Sequence, residues 1–433
     1  MVRNRPGVLG AAALVAVSAV VLTACSSGGA APETPTPTAS ASETAIPANA
    51  VQPSLVGMHI EGAEGGAWAS APFGALRLWD NGTAWAQIEI EPGVYKWDNL
   101  EGILENAESK GMTDILMVLG TTPEWNATVV SPDDYPQPGA ASAPKDLSAW
   151  DAWVTEVATR YKGRITAYQI WNEANLKNFW GGTPEEMAEL TKRAYDIIKG
   201  IDPEALVVSA SPSTRLTTSF DRFFPAYLAA LAADDWPVDV IGIHTYPAAD
   251  GDPADRGALI EATQAALTEA GAPDLPLWDT ELNYGLAGPG PDRPKQDITG
   301  VDAAGWVVRT YIDDLRYGVD RSYWYIWTQA PYDLLGIQAF PGSDAEQGFF
   351  SLDTWVIGSE FLGCEEDGAA VVCSFLRDGL MSYVVWAETG TAEFTAPEGS
   401  QLVCDPLANC QQVTPGSPIT LTGVPVRVYT QAA

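Results

Sequence analysis

Two acidic residues stand in settings suited to acid–base chemistry. Glu173 lies in Ile170-Trp171-Asn172-Glu173-Ala174-Asn175, and Glu281 lies in Leu277-Trp278-Asp279-Thr280-Glu281. Each follows a short apolar run, so each carboxyl is expected at the C-terminal end of a strand. Two carboxyls facing one another across a cleft can divide a task. One stays protonated and delivers its proton to a departing oxygen; the other is ionised and attacks or stabilises a cationic centre. Cleavage of a glycosidic bond needs that division. Both residues also have blander readings: Glu173 as a surface acid at a helix start, and Glu281 as the structural partner of an arginine.

The elements that must position them are written in the apolar pattern. Strand-like runs occur at 54–60, 75–79, 114–119, 165–171, 205–210, 238–244, 275–280 and 321–327. Helical stripes lie between most of them, as in Asp98 to Lys110, in 148–161, after Thr183-Pro184-Glu185-Glu186, and in 255–270. Alternating strands and helices predict an α/β fold, a (β/α)8 barrel over residues 53–340. The fourth and seventh strand ends then face each other over the barrel mouth. An open doubly wound sheet is the alternative, but no Gly-x-Gly-x-x-Gly follows the first strand.

From residue 341 the pattern becomes short strands separated by Gly, Pro and Asp, which predicts a small all-β, sandwich-like domain over 341–433. This segment holds Cys364, Cys373, Cys404 and Cys410. An even count suggests two disulfides. Three pairings are open, and the local pairs Cys364–Cys373 and Cys404–Cys410 are favoured, each stapling one hairpin. No Cys-x-x-Cys spacing supports a zinc ribbon or a catalytic cysteine.

The first residues read as an address. Arg3 and Arg5 precede an apolar run from Val8 to Ala24, which ends in Leu22-Thr23-Ala24-Cys25. Residues 1–24 are therefore expected to be a lipoprotein signal, with Cys25 taking the lipid. Residues 25–52, rich in Ser, Thr, Pro and Ala, read as a flexible tether. The expected location is the outer face of a bacterial cell membrane, reached only through the lipid anchor.

Composition narrows the partners. The 433 residues carry 23 basic and 56 acidic side chains, a formal net charge of −33. Such a chain repels nucleic acid and anionic membranes. Two histidines argue against a histidine-built metal site, and no cofactor or metal is expected. Sixteen tryptophans supply flat apolar surface that suits sugar faces, though cores use tryptophan equally.

With these motifs in view, the sequence resembles the retaining glycoside hydrolases of clan A, and family 39 most of all. Trp171-Asn172-Glu173-Ala174-Asn175 and Trp278-Asp279-Thr280-Glu281 carry the likeness, supported by Trp85-x-x-Ile88-Glu89-x-x-x-Gly93-x-Tyr95-x-Trp97 and by Thr122-Pro123-Glu124-Trp125. The resemblance implies a monomeric enzyme acting on carbohydrate. Glu173 would be the general acid/base and Glu281 the nucleophile. Asn172 would bond the sugar 2-hydroxyl. Arg77 would sit beneath Glu281 and lower its pKa. Tyr246 would touch Glu281, and His244 would contact sugar or position its neighbours. Trp327 would form the floor under the sugar, with Trp324 as the rival because strand phase is open. Trp125 and Trp278 are further candidate sugar contacts, and His59 is a weaker candidate for the site. Stretches 126–146 and 284–300 would wall the cleft. A carboxyl separation of about 5–5.5 Å would go with retention of configuration. Two other readings share these residues: a transglycosylase, and a glycan-binding lipoprotein without turnover.

Overall fold

In the computed structural model the described residues are 46–288 and 292–430. The expected signal, Cys25 and most of the expected tether lie outside them. The eight apolar runs form eight parallel strands: β1 (Val56–Ile60), β2 (Ala75–Leu78), β3 (Ile115–Val118), β4 (Ala167–Gln169), β5 (Leu206–Val208), β6 (Ile241–His244), β7 (Leu277–Leu282) and β8 (Arg321–Trp327). Their order is β5-β4-β3-β2-β1-β8-β7-β6. A bridge between Val208 and Val240 joins the two outer strands and closes the ring.

Alternation along the strands decides what fills the barrel. Ala75, Leu116, Ala167, Val208, Val240, Trp278 and Tyr323 pack as one interior layer. The small residues make room for the two large rings, as a tapering interior requires. Gly57 on β1 does the same: a Cβ there would stand 2.3 Å from Cδ1 of Tyr323. The intervening residues, among them Leu76, Leu78, Met117, Val207 and Ile243, face outward into the main hydrophobic core.

That core is completed by α1 (Asp98–Ser109), α2 (Leu147–Arg160), α3 (Pro184–Ile201), α4 (Thr217–Ala233), α5 (Pro253–Ala270), α6 (Gly300–Tyr317) and α7 (Asp344–Trp355). Only a 3-10 turn, Ala63–Gly65, sits between β1 and β2. Thr183 and Glu186 form a reciprocal cap at the start of α3, and Asp252 and Asp255 do so at α5.

The boundary expected at 341 falls too early. Ser343 caps α7, whose Phe349, Leu352 and Trp355 are buried in the main core, so α7 is the helix after β8. The helix packs on α6 through Gly348. A Cβ at Gly348 would stand 2.6 Å from the Ala304 carbonyl of α6. At the other end, Val51 is buried and donates to Ser359 O at 2.8 Å, so the folded body takes in the last residues of the expected tether.

The all-β module follows: β9 (Glu360–Asp367), β10 (Ala370–Arg377), β11 (Leu380–Ala387), β12 (Ala392–Thr395), β13 (Ser400–Cys404), β14 (Cys410–Gln412), β15 (Pro418–Leu421) and β16 (Val426–Thr430). Six strands form an antiparallel sheet, β9-β10-β11-β16-β13-β14, and the β12–β15 pair packs over it. Cys364 pairs with Cys373 and Cys404 with Cys410. Each pair sits directly opposite across two adjacent strands. The module is tied to the barrel by Arg309 of α6, which reaches Glu388 Oε2 at 2.7 Å and lies over the Trp386 ring.

Candidate active site

The polar residues of the barrel interior gather at the C-terminal strand ends, above the apolar layer. Arg77 is the hub. It projects inward from β2 and is fully buried. Its Nε donates to Gln169 Oε1 at 2.9 Å, its Nη2 to Asn172 Oδ1 at 2.7 Å, and its Nη1 to Glu281 Oε2 at 2.9 Å. His59 Nε2 lies 3.1 Å from the same Nη1. One guanidinium thus spans the ends of β1, β2, β4 and β7.

Glu281 needs more than strand alternation to face the mouth. Trp278 points inward, so regular alternation would turn Glu281 out. A register shift against β6 and β8 removes the problem: Ile243 pairs with Asp279, but His244 pairs with Glu281. The extra residue, Thr280, is a β-bulge that re-aims the carboxyl. Glu281 Oε1 then accepts from the Tyr246 hydroxyl at 2.8 Å.

Asp279, on the outer side of the same strand, anchors this arrangement. It accepts from Arg256 Nη2 at 2.9 Å and from the Thr245 hydroxyl. Arg256 also reaches Asp314 Oδ1 at 2.6 Å. The buried network joins β6, β7, α5 and α6, and fixes His244 and Tyr246 on either side of Thr245.

Glu173 has different company. Its backbone φ is +41°, a left-handed conformation that costs a non-glycine residue about 1 kcal/mol and is found where function holds it. Its Oε1 lies 3.3 Å from His244 Nδ1. His244 Nε2 lies 3.1 Å from Thr280 Oγ1, which in turn lies 2.8 Å from Ser211 Oγ. No cation is bonded to Glu173 among the described residues. Burial raises its pKa, against which Ser213, Arg215 and Arg77 act. Burial also pushes His244 down to about 4, so the ring is neutral at pH 7.

Arg77 lowers the Glu281 pKa, the direction expected of it, but burial outweighs that pull. Burial is the largest influence and raises it, with His244 and Arg77 opposing and Glu173 and Asp80 adding to the rise. Because His244 is itself neutral, Arg77 is the opposing charge that counts. Three carboxyls, Asp80, Glu173 and Glu281, line one cavity, and burial raises the pKa of each. Arg77 and Tyr246 both donate to Glu281, and neither bonds Glu173, so the two carboxyls are held differently.

Glu173, Glu281, Asn172 and Tyr246 line one cavity of about 440 Å³. Its scaffold fits two relatives in kind. A family model described as glycosyl hydrolases family 39 matches residues 91–329, more than half of the chain. The chain belongs to glycosyl hydrolase family 39.

Two curated β-xylosidases of the family's kind are similar over part of their length. That of Caldicellulosiruptor saccharolyticus is 34% identical over 207 residues, covering 43% of this chain and 40% of the relative. That of Geobacillus stearothermophilus is 25% identical over 212 residues, with the same coverage. The chain thus spans well under half of the curated relatives it matches. Among solved structures, a family 39 glycoside hydrolase from Bacteroides cellulosilyticus WH2 superposes with a TM-score of 0.65 at 17% identity, covering 88% of this chain and 82% of that one. A β-xylosidase from Caulobacter crescentus gives 0.61 at 17% identity, covering 90% and 98%. These two likenesses concern the fold.

Three expected sugar contacts lie elsewhere in this family 39 chain. Trp278 belongs to the interior layer near the start of β7, with the Arg321 guanidinium 4.2 Å from its ring. Trp327 is fully buried in the main core, and Trp324 packs outward on Phe349 of α7. Trp125 donates from Nε1 to Glu89 O at 3.1 Å and lines a separate cavity. The inward aromatic of β8 at the mouth is Tyr325, whose hydroxyl donates to Asp80 Oδ2 at 2.7 Å. Tyr135, from the stretch after β3, donates to Asp80 Oδ1 at 2.6 Å. The cavity also takes in Leu286 and Ala287 from the stretch after β7, and Arg215. Tyr325 was hidden because Tyr323-Trp324-Tyr325-Ile326-Trp327 is aromatic or apolar throughout, so no polar–apolar alternation marks its phase. Asp80 sits at the end of β2, a position the barrel rule marks but no motif does. His59 is buried beneath the site, 3.1 Å from Thr280 O.

Proposed function

We propose that this chain is a retaining glycoside hydrolase, with Glu281 as nucleophile and Glu173 as acid/base. The observation that carries the reading is the unequal company of the two carboxyls. Arg77 and Tyr246 both donate to Glu281, whereas Glu173 has a neutral imidazole at 3.3 Å and no bonded cation among the described residues. An ionised Glu281 attacks the anomeric carbon while Glu173 gives its proton to the leaving oxygen. Glu173 then takes a proton from water, which attacks the same carbon and frees Glu281. Asn172 accepts from Arg77 at Oδ1, which leaves Nδ2 for the sugar 2-hydroxyl. Tyr325 takes the place expected of Trp327 at the mouth.

The curated relatives are β-xylosidases, so aryl β-xylosides are the first substrates to test. Export as a lipoprotein through Cys25 belongs to the same proposal. The sequence Leu22-Thr23-Ala24-Cys25 and two disulfides in the β module support it, since disulfides persist in oxidising compartments. Glu281→Ala is expected to abolish hydrolysis with the fold retained. Glu173→Ala is expected to keep turnover of substrates with activated leaving groups, rising on addition of azide. Full activity in both variants, measured by release of the aryl group, would sink the assignment.

A further inference from the structure

Beyond Glu173 the chain supplies three cations to one side of the cleft. Lys177 follows Glu173 in the loop after β4, Arg215 lies in the loop after β5, and Arg222 is on α4. They line a cavity of about 420 Å³ whose walls contain no carboxylate. This cavity shares Leu176, Arg215 and Leu216 with the one that holds the two carboxyls. On its far side it shares Asn175, Lys177 and Arg222 with a larger cavity of about 990 Å³. The three cavities are thus neighbours, in order outward from the one that Glu173 lines.

None of these cations has an ion-pair partner among the described residues. Arg215 donates only to main-chain carbonyls, at 3.3 Å to Leu286 and 3.4 Å to Gly288 and to Ala287. The larger cavity is also lined by Asp133, Asp134 and Glu186, so the stretch free of carboxylate is the 420 Å³ cavity alone. A chain with 56 acidic and 23 basic residues presents a negative field almost everywhere. Three cations without ion-pair partners around a cavity free of carboxylate oppose that field at this one place, which favours an anionic group there.

The direction of this row of cavities follows from the chemistry. A general acid protonates the leaving oxygen, so the departing part of a substrate lies on its side. We infer that Lys177, Arg215 and Arg222 receive the leaving-group portion of a glycan that bears anionic groups, carboxylate or sulfate. This deepens the glycosidase reading and rests on it for the direction of the chain.

The test is equilibrium binding to the full-length Glu173→Gln variant, which keeps the side-chain shape and suppresses turnover. The probes are uronate-bearing xylan, galactan and arabinan oligosaccharides, each paired with its carboxyl-reduced form, and sulfated forms of the same chains. At least one acidic probe is expected to bind about tenfold more tightly than its neutral counterpart at low salt, from a few partly screened contacts. The advantage should shrink as salt is raised through about 0.15 M. It should vanish when Lys177→Gln and Arg222→Gln are added, and both side chains are exposed, so the fold is not at stake. A uronate preference and a sulfate preference separate the two sources of charge. Equal binding within every pair, or an acid preference that survives the double substitution, overturns the inference. Because binding needs no turnover, a glycosidase reading that fails would leave this result standing.

Discussion

Three acceptor groups meet the Arg77 guanidinium, and its removal should be felt twice. Arg77→Met strands the Glu281 carboxylate and the Asn172 and Gln169 carbonyls in a buried setting, at a cost of about 3–5 kcal/mol, read from denaturant unfolding. The positive charge also favours ionised Glu281, so its loss lets Glu281 hold a proton to higher pH. Activity requires Glu281 ionised, and the acid limb of the pH–kcat profile should therefore move upward. A limb that stays in place would mean that Arg77 is only a structural tie. At this scale the sequence was most legible where side chains carry chemistry in a motif: Glu173, Glu281, Asn172, His244 and Tyr246 come together. It was least legible for tryptophans, because an indole serves a core, a barrel interior and a sugar face by the same apolar surface. Trp278 and Trp327 went to the first two.

At the scale of elements, the β-bulge at Thr280 and the network around Arg256 hold the site in place. Asp314 takes part in that network, and burial raises its pKa to about 6 against the pull of Arg256. In the unfolded chain the same carboxyl titrates near about 3.9. Between these values the folded state binds more protons, so the contribution of Asp314 to stability falls as pH rises from about 4 to about 6. Asp314→Asn removes that penalty and leaves Arg256 paired with Asp279. The melting temperature of the variant relative to the parent should therefore climb between pH 4 and pH 6.5; a constant difference would contradict the account. The eight strands were legible because each is a short apolar run bounded by turn residues. The bulge was not, since it is a property of register between strands rather than of any one strand. Helix α7 was also missed, since it lies where the strands of the β module were expected to begin.

For the whole molecule, barrel and β module pack through α6 and α7, and the cleft lies at the C-terminal face of the strands. Tyr135 and Tyr325 meet over Asp80 in the cleft, and Lys177, Arg215 and Arg222 line the cavity next to it. Net charge alone had argued against an anionic ligand; the distribution of charge argues for one. That difference is outside the reach of composition, because it depends on which cations find acidic partners in the fold.

The central claim is that Glu281 forms a covalent bond to the sugar and Glu173 does not. A 2-deoxy-2-fluoro glycoside with an activated leaving group slows the second step and lets the glycosyl-enzyme accumulate. Mass analysis of the digested protein should place one sugar on the peptide that contains Glu281, and Glu281→Ala should abolish labelling. A label on Glu173, or turnover of the parent glycoside with no covalent species under these conditions, would contradict it.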